Sequence, residues 1–160
     1  MKKEEKFIRR ALELAAQNVK DGKGGPFGAV IVKNNEIIAE GTNLVTYIND
    51  PSAHAEIVAI REACRKLNLF QLNDCQIYSS CEPCPMCIGA IYWARPQKVF
   101  FAATKDDAAK AGFDDSFIYE QLNLEYAKRK IPMIKLMTED ISETAMPFTI
   151  WEKSLNKIRY

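Results

Sequence analysis

Phe7, Ile8, Ala11, Leu12, Ala15 and Val19 recur at three- and four-residue intervals. That stripe predicts an amphipathic helix over residues 3–21, with Gly22 placed to end it. The pattern then changes. "GGPFGAVIVKNNEIIAEGTN" holds two short β-rich runs flanking Asn34-Asn35, which predicts a hairpin with a tight polar turn. Helical spacing returns in "AEIVAIREACRKL" and "PMCIGAIYWA", with the strand-like "CQIYSS" between them and "KVFFAA" after them. "AAKAGFDDSFIYEQL" reads as a helix broken at Gly112, "MIKLM" as a last short strand, and "FTIWEKSLNKI" as a last helix behind Pro147. No repeat, low-complexity segment or linker interrupts the chain. An opening hairpin followed by alternating helices and strands predicts a single α/β domain over 1–160, layered around a mixed sheet.

Composition narrows the function. A chain of 160 residues, 48% hydrophobic, is long enough for one domain with a sizeable core. The formal net charge of +1 does not suggest a polyanion-binding protein. No apolar run approaches the roughly 20 residues of a membrane span. "MKKEEKFIRRALELAAQ" lacks the unbroken apolar core of a signal peptide. Five cysteines are an odd number and too sparse for a disulfide scaffold, so a reducing, cytoplasmic setting is expected.

The chemistry concentrates in two segments. The single histidine, His54, lies in "DPSAHAEIVAI", two residues before Glu56. A lone histidine is ordinarily a surface or satisfied core residue, and a lone glutamate a solvated helix residue. Here they are joined by Pro83-Cys84-Pro85-Met86-Cys87, and together they spell H-x-E … P-C-x-x-C. Mid-helix, residues two apart point to nearly opposite sides. At a helix N-terminus, where side chains lean toward that end, His54 and Glu56 can converge on one point ahead of it. Asp50, Pro51 and Ser52 are candidate start signals. Cys84 and Cys87 share a helix face, with Pro85 suited to the first helical position and Cys84 to the cap. Two helix N-termini aimed at one metal would favour thiolates. One imidazole and two thiolates leave a tetrahedral zinc neutral, with one position open.

"CEPCPMC" also contains Cys81, and a Cys₃His set would close the site into a structural cage. Cys81 follows the strand "CQIYSS", off the helix face that carries the other two, and Glu56 has no purpose in a structural site. Cys84 and Cys87 are therefore the expected ligands, and Cys81 a packed thiol. Cys64 and Cys75 read as ordinary core residues. A zinc-activated water, with a pKa near about 7, would give its proton to Glu56 as general acid–base.

"HAE" with "PCPMC" resembles the cytidine deaminase-like zinc superfamily. The longer strings "GGPFGAVIV", "NDPSAHAEIVAIR", "SCEPCPMCIGAIYWARP" and "AGFDDSFIY" resemble the bacterial guanine deaminases within it. The resemblance runs from about residue 7 to the C-terminal tyrosine and is weak from Glu120 to Met146. It implies a three-layer α/β/α fold with a central mixed sheet of about five strands, guanine as substrate, one zinc per chain, and a homodimer that exchanges the C-terminal segment 147–160. It also implies His54, Cys84 and Cys87 as zinc ligands and Glu56 as proton shuttle. Asn43 and Asp115 would hydrogen-bond the purine, Phe27 and Trp93 would wall it, and Tyr160 would cover the partner's site. On composition alone Asn43 is a turn residue, Phe27 and Trp93 are core aromatics, Asp114-Asp115 is a solvated turn or a helix start, and the tail helix docks at home. Two other functions carry the motif: a tRNA adenosine deaminase and a non-enzymatic zinc-stabilised module. "KRKIPMIK" and "KSLNKIR" are modest basic clusters, but the balanced charge and the acids of "GFDDSF" argue against RNA.

Overall fold

The computed structural model describes residues 3–136 and 141–160. They form two compact units, divided after Ser116. The first begins with helix α1 (Lys3–Lys20), which ends before Gly22 at φ +66°. Strands β1 (Gly28–Lys33) and β2 (Glu36–Thr42) form the expected hairpin. Asn34 and Asn35 both have positive φ, 51° and 67°, as a two-residue hairpin turn requires. A four-residue helix, α2 (Val45–Ile48), precedes α3 (Ala55–Leu67), β3 (Cys75–Cys81), α4 (Pro85–Ala94) and β4 (Lys98–Ala103). Helix α5 (Lys105–Lys110) follows, and α6 (Ser116–Leu122) starts after the break at Gly112.

Among the described residues the sheet has four strands in the order β2-β1-β3-β4. Strand β1 is antiparallel to both neighbours, and β3 runs parallel to β4, so the sheet is mixed. Period-two alternation assigns its faces. Ala29, Ile31 and Ile77 join a core with Ala55, Ala59 and Ala63 of α3 and with Ile91 and Ala94 of α4. Val30, Val32 and Tyr78 face the other way, onto Phe7 of α1. Both faces of β1 are therefore covered, which explains its unbroken apolar run. The result is the expected α/β/α layering.

The alanines of α3 are small for a reason. Gly41 of β2 lies so close beneath the helix that a Cβ there would stand 2.2 Å from the Ala55 carbonyl oxygen and 2.6 Å from the Ala59 nitrogen. That approach sets the height at which the first turn of α3 sits over the sheet.

The second unit, 117–160, departs from expectation in two places. Met133–Leu136 of "MIKLM" form no strand, and Met137 lies outside the described residues. A short apolar run does not specify a strand partner by itself. The last helix, α7 (Ile141–Lys153), contains Pro147 instead of starting behind it. The residues before Pro147 are already helical, so the proline marks no boundary. No described helix is long and apolar enough to cross a membrane.

Gly41→Ala is expected to displace the start of α3, costing about 1–3 kcal/mol or more as an overpacked contact. Thermal melts should fall accordingly, and the purified variant should carry less metal than wild type because His54 rides on that turn.

Candidate metal centre and active site

Two helices begin at the same place. His54 is the N-cap of α3, with φ −70° and ψ 157°, and Cys84 is the N-cap of α4, with φ −69° and ψ 169°. Each carbonyl accepts its helix's first hydrogen bond, from Val58 N and Ile88 N respectively. Neither side chain is spent on capping. Asp50 and Ser52, expected as helix starters, build the preceding turn instead: the Ser52 N–H and hydroxyl both donate to Asp50 Oδ1. Pro85 occupies the first position of α4, so Cys87 falls in the same first turn.

This caging brings the ligand atoms of His54, Cys84 and Cys87 within 4.8 Å of one another. His54 Nδ1 faces both sulfurs, 3.5 Å from Cys84 Sγ and 3.6 Å from Cys87 Sγ. One imidazole nitrogen and two sulfurs are the soft N/S donor set that zinc prefers, and three donors leave a tetrahedral position open. The Cys84 thiol is held down to about 4, chiefly by the hydrogen bond from the Cys87 thiol and also by His54. Cys87, as the donor of that bond, is pushed the opposite way, and burial adds to it. His54 is raised, mainly by its bond to Cys84. Binding of a divalent cation to these three groups would require both thiols to give up their protons.

Cys81 does not join the trio. It ends β3, is 6% exposed, and donates its thiol to the Thr104 carbonyl at 3.4 Å. Burial raises it to about 11. Cys64 and Cys75 are likewise free thiols, raised by burial.

Glu56 is in the first turn of α3 and only 5% exposed. Burial pushes its carboxyl upward, against the pull of the helix-start N–H and of two side-chain bonds. Ser79 Oγ donates to Oε1 at 2.8 Å, and the Cys87 thiol lies 3.4 Å from Oε2. One carboxylate oxygen is thus anchored in the sheet and the other faces the sulfurs. Ser79 is absent from the sequence reading. The available signal was a pair of adjacent serines near the end of a largely buried strand, where each hydroxyl needs a partner; Ser80 meets the same demand by accepting from Gly28 N–H at 3.0 Å.

The other expected residues are distributed unevenly. Asp115 is half-buried, and its charge is felt at His54. Its carboxyl is raised, first by burial and then by the nearby Cys84 charge. Its neighbour Asp114 instead accepts the Ser116 N–H at 2.9 Å, the helix-start role that either acid could have taken. Asn43 is 8% exposed. Its amide oxygen, expected to face a ligand, accepts the N–H groups of Gly25 and Val45 at 3.3 and 3.4 Å. The NH₂ has no protein acceptor among the described residues, so Asn43 offers a donor. Asn18, also missed from sequence, braces this corner by donating to the carbonyls of Asn43 and Gly25. Phe27 packs edge-on against Phe113 at 5.0 Å. Trp93 is 62% exposed in the last turn of α4, about 12 Å along the axis from its cysteine-bearing start. Tyr160 belongs to the second unit and is exposed.

A capping imidazole, a capping thiol and a first-turn thiol beside a buried glutamate match the residue set of a zinc-dependent deaminase centre. Residues 1–103 match the family model of the cytidine and deoxycytidylate deaminase zinc-binding region, and the chain belongs to that family. Zinc is its cofactor.

Within the family the chain is similar to the guanine deaminase of Bacillus subtilis (strain 168), with 56% identity over 157 residues and 98% of each sequence covered. The X-ray structure of guanine deaminase from Bacillus subtilis superposes with a TM-score of 0.94 at 55% identity, covering 98% of both chains. A tRNA-specific adenosine deaminase of Aquifex aeolicus (strain VF5) is 46% identical over 99 residues, which is 62% of this chain and 65% of that one. A guanine deaminase from Nitrosomonas europaea superposes with a TM-score of 0.64 at 35% identity, covering 68% of this chain and 63% of that one.

Metal analysis of four variants checks the centre. Cys84→Ala and Cys87→Ala are expected to lose zinc, whereas Cys81→Ala and Glu56→Gln should retain about one zinc per chain. Glu56→Gln should nonetheless lose about a hundredfold or more in turnover. A metal-free Cys81→Ala protein would contradict the three-ligand arrangement.

Proposed function

We propose that this chain hydrolyses guanine to xanthine and ammonia, with His54, Cys84 and Cys87 as zinc ligands and Glu56 as the proton carrier. The observation that carries the reading is the buried Glu56 carboxylate beside an imidazole–dithiol cluster that leaves one metal position open. The near full-length similarity to a guanine deaminase supports guanine over an anticodon loop, since the tRNA-specific relative matches a smaller part of the chain. The balanced net charge points the same way.

Zinc bound by these residues supplies a Lewis acid that makes water nucleophilic near neutral pH. The chain's own groups manage the protons and the base. Glu56 Oε2 takes a proton from the attacking water and returns it to the ring nitrogen beside the amino-bearing carbon. It then carries the second proton to the departing amine, which leaves as ammonia. Asp115 accepts from a ring N–H, and the Asn43 NH₂ donates to a ring acceptor, so the pair reads opposite polarities of a purine edge. Phe27 supplies an apolar wall. Five free thiols fit a reducing, cytoplasmic setting.

The same reading takes Trp93 as a further wall of the base and the active unit as a homodimer in which segment 147–160 is exchanged and each Tyr160 covers the partner's site. Two observations support it. Phe148, Ile150, Leu155 and Ile158 of the tail are all exposed in the single chain, more apolar surface than a lone molecule usually leaves in water. An open groove of about 590 Å³ lined by Ile88, Ile91, Tyr92, Val99 and Phe101 offers a second copy an apolar seat on the first unit. Exchange of an identical element is a low-cost route to a dimer.

An ammonia-release panel of guanine, guanosine, adenine, cytosine, cytidine and an anticodon stem-loop tests the substrate. Guanine should be the best, and Asn43→Ala and Asp115→Ala should each cost about 1–3 kcal/mol of transition-state stabilisation. Faster reaction of the stem-loop would transfer the assignment to tRNA.

Co-refolding tests the exchange. Glu56→Gln chains mixed with chains lacking Tyr160 are expected to regain activity, because the intact Glu56 site is then covered by the other chain's tyrosine. Mixtures as inactive as either parent would place each tail over its own site.

A further inference from the structure

We propose that Ser79 is a positioning residue for Glu56: its hydroxyl sets the plane of the carboxylate so that Oε2 alone faces the reacting atoms. This rests on the reading of Glu56 as proton carrier. Strand alternation explains how a sheet residue reaches the first turn of α3. Ile77 of β3 lies in the core beneath α3 and α4, and Tyr78 in the core beneath α1. Ser79 returns to the Ile77 face, where Glu56 comes down from the helix above. Ser79 is 1% exposed, and its one acceptor among the described residues is Glu56 Oε1, at 2.8 Å.

A glutamate at a helix start is fixed in direction by the helix but not in the rotation of its carboxylate, a torsion with broad, shallow preferences. Either oxygen, or neither, could then point at the substrate. Oε2 lies 3.4 Å from the Cys87 sulfur, on the metal side, while Oε1 is pinned to the sheet. Ser79 thus divides the two oxygens into an anchor and a working atom. Its one hydrogen-bond acceptor among the described residues is that carboxylate, so the hydroxyl acts through Glu56. A proton carrier misplaced by about 1 Å can lose about a hundredfold in rate.

The test pairs Ser79→Thr with Ser79→Val, two side chains of nearly the same shape that differ in the hydroxyl. Any packing penalty from the added methyl is common to both. Ser79→Val should lower kcat for guanine by about 10- to 100-fold, with KM and zinc content within about twofold of wild type. Ser79→Thr should recover most of that kcat. Ser79→Ala, which adds no bulk, should repeat the valine result if Ser79→Val folds poorly. A crystal structure of zinc-loaded Ser79→Val or Ser79→Ala should show the Glu56 carboxylate rotated from its wild-type plane, while Ser79→Thr should preserve it. Equal kcat for the threonine and valine variants, a defect confined to KM or zinc content, or an unmoved carboxylate would overturn the proposal. Wild-type protein inactive on guanine would refute the substrate assignment instead, and the carboxylate orientation would still decide the role of Ser79.

Discussion

The meeting of two helix N-termini at one point is the constraint on which the rest of this structure depends. A helix start leaves backbone N–H groups without intrahelical partners and carries a partial positive charge. Aiming two of them at the same place concentrates both effects where thiolates must be held. The helices reach that point because each rests on the sheet at a fixed height. For α3 the height is set by Gly41 beneath alanines; for α4, by the packing of Ile91 and Ala94 into the same core. His54 and Cys84 occupy equivalent cap positions, with nearly identical backbone angles, and neither side chain serves its own helix. Both side chains therefore stay available to a metal.

The second requirement is a carboxylate that survives burial. Glu56 is nearly inaccessible, and an uncompensated charge there would be costly. The helix-start N–H and the Ser79 hydroxyl offset part of that cost. The same burial keeps bulk water from competing for Oε2, as the proton-carrying role proposed for Glu56 requires. Cys81 marks the other limit of the design. It is close in sequence to Cys84 and Cys87 but turned into the Thr104 carbonyl, outside the His54–Cys84–Cys87 cluster.

Much of this was legible in the chain. The hairpin follows from two asparagines that tolerate positive φ, and the α/β/α order from alternating periodicities. The grouping of Cys84 and Cys87 with His54, apart from Cys81, follows from spacing on a helix face. What stayed hidden depends on contacts distant in sequence. Ser79 meets Glu56 only after β3 is placed under α3, and Asn18 meets Asn43 only after α1 is laid across the sheet. The polarity offered by Asn43 is decided by which of its two amide atoms the backbone occupies, a fact no sequence pattern encodes. The tail was the least legible region. "MIKLM" has the composition of a strand but no strand pairing among its described residues, and Pro147 sits inside a helix it was expected to begin.

X-ray absorption at the zinc edge of the purified protein is the most direct test of the open three-ligand centre. Two sulfur neighbours at about 2.3 Å and two nitrogen or oxygen neighbours at about 2.0–2.1 Å are expected. One of the lighter pair is His54, and the other is exchangeable. A shell of three sulfurs would bring Cys81 into the site, close the fourth position, and contradict the catalytic reading of the metal.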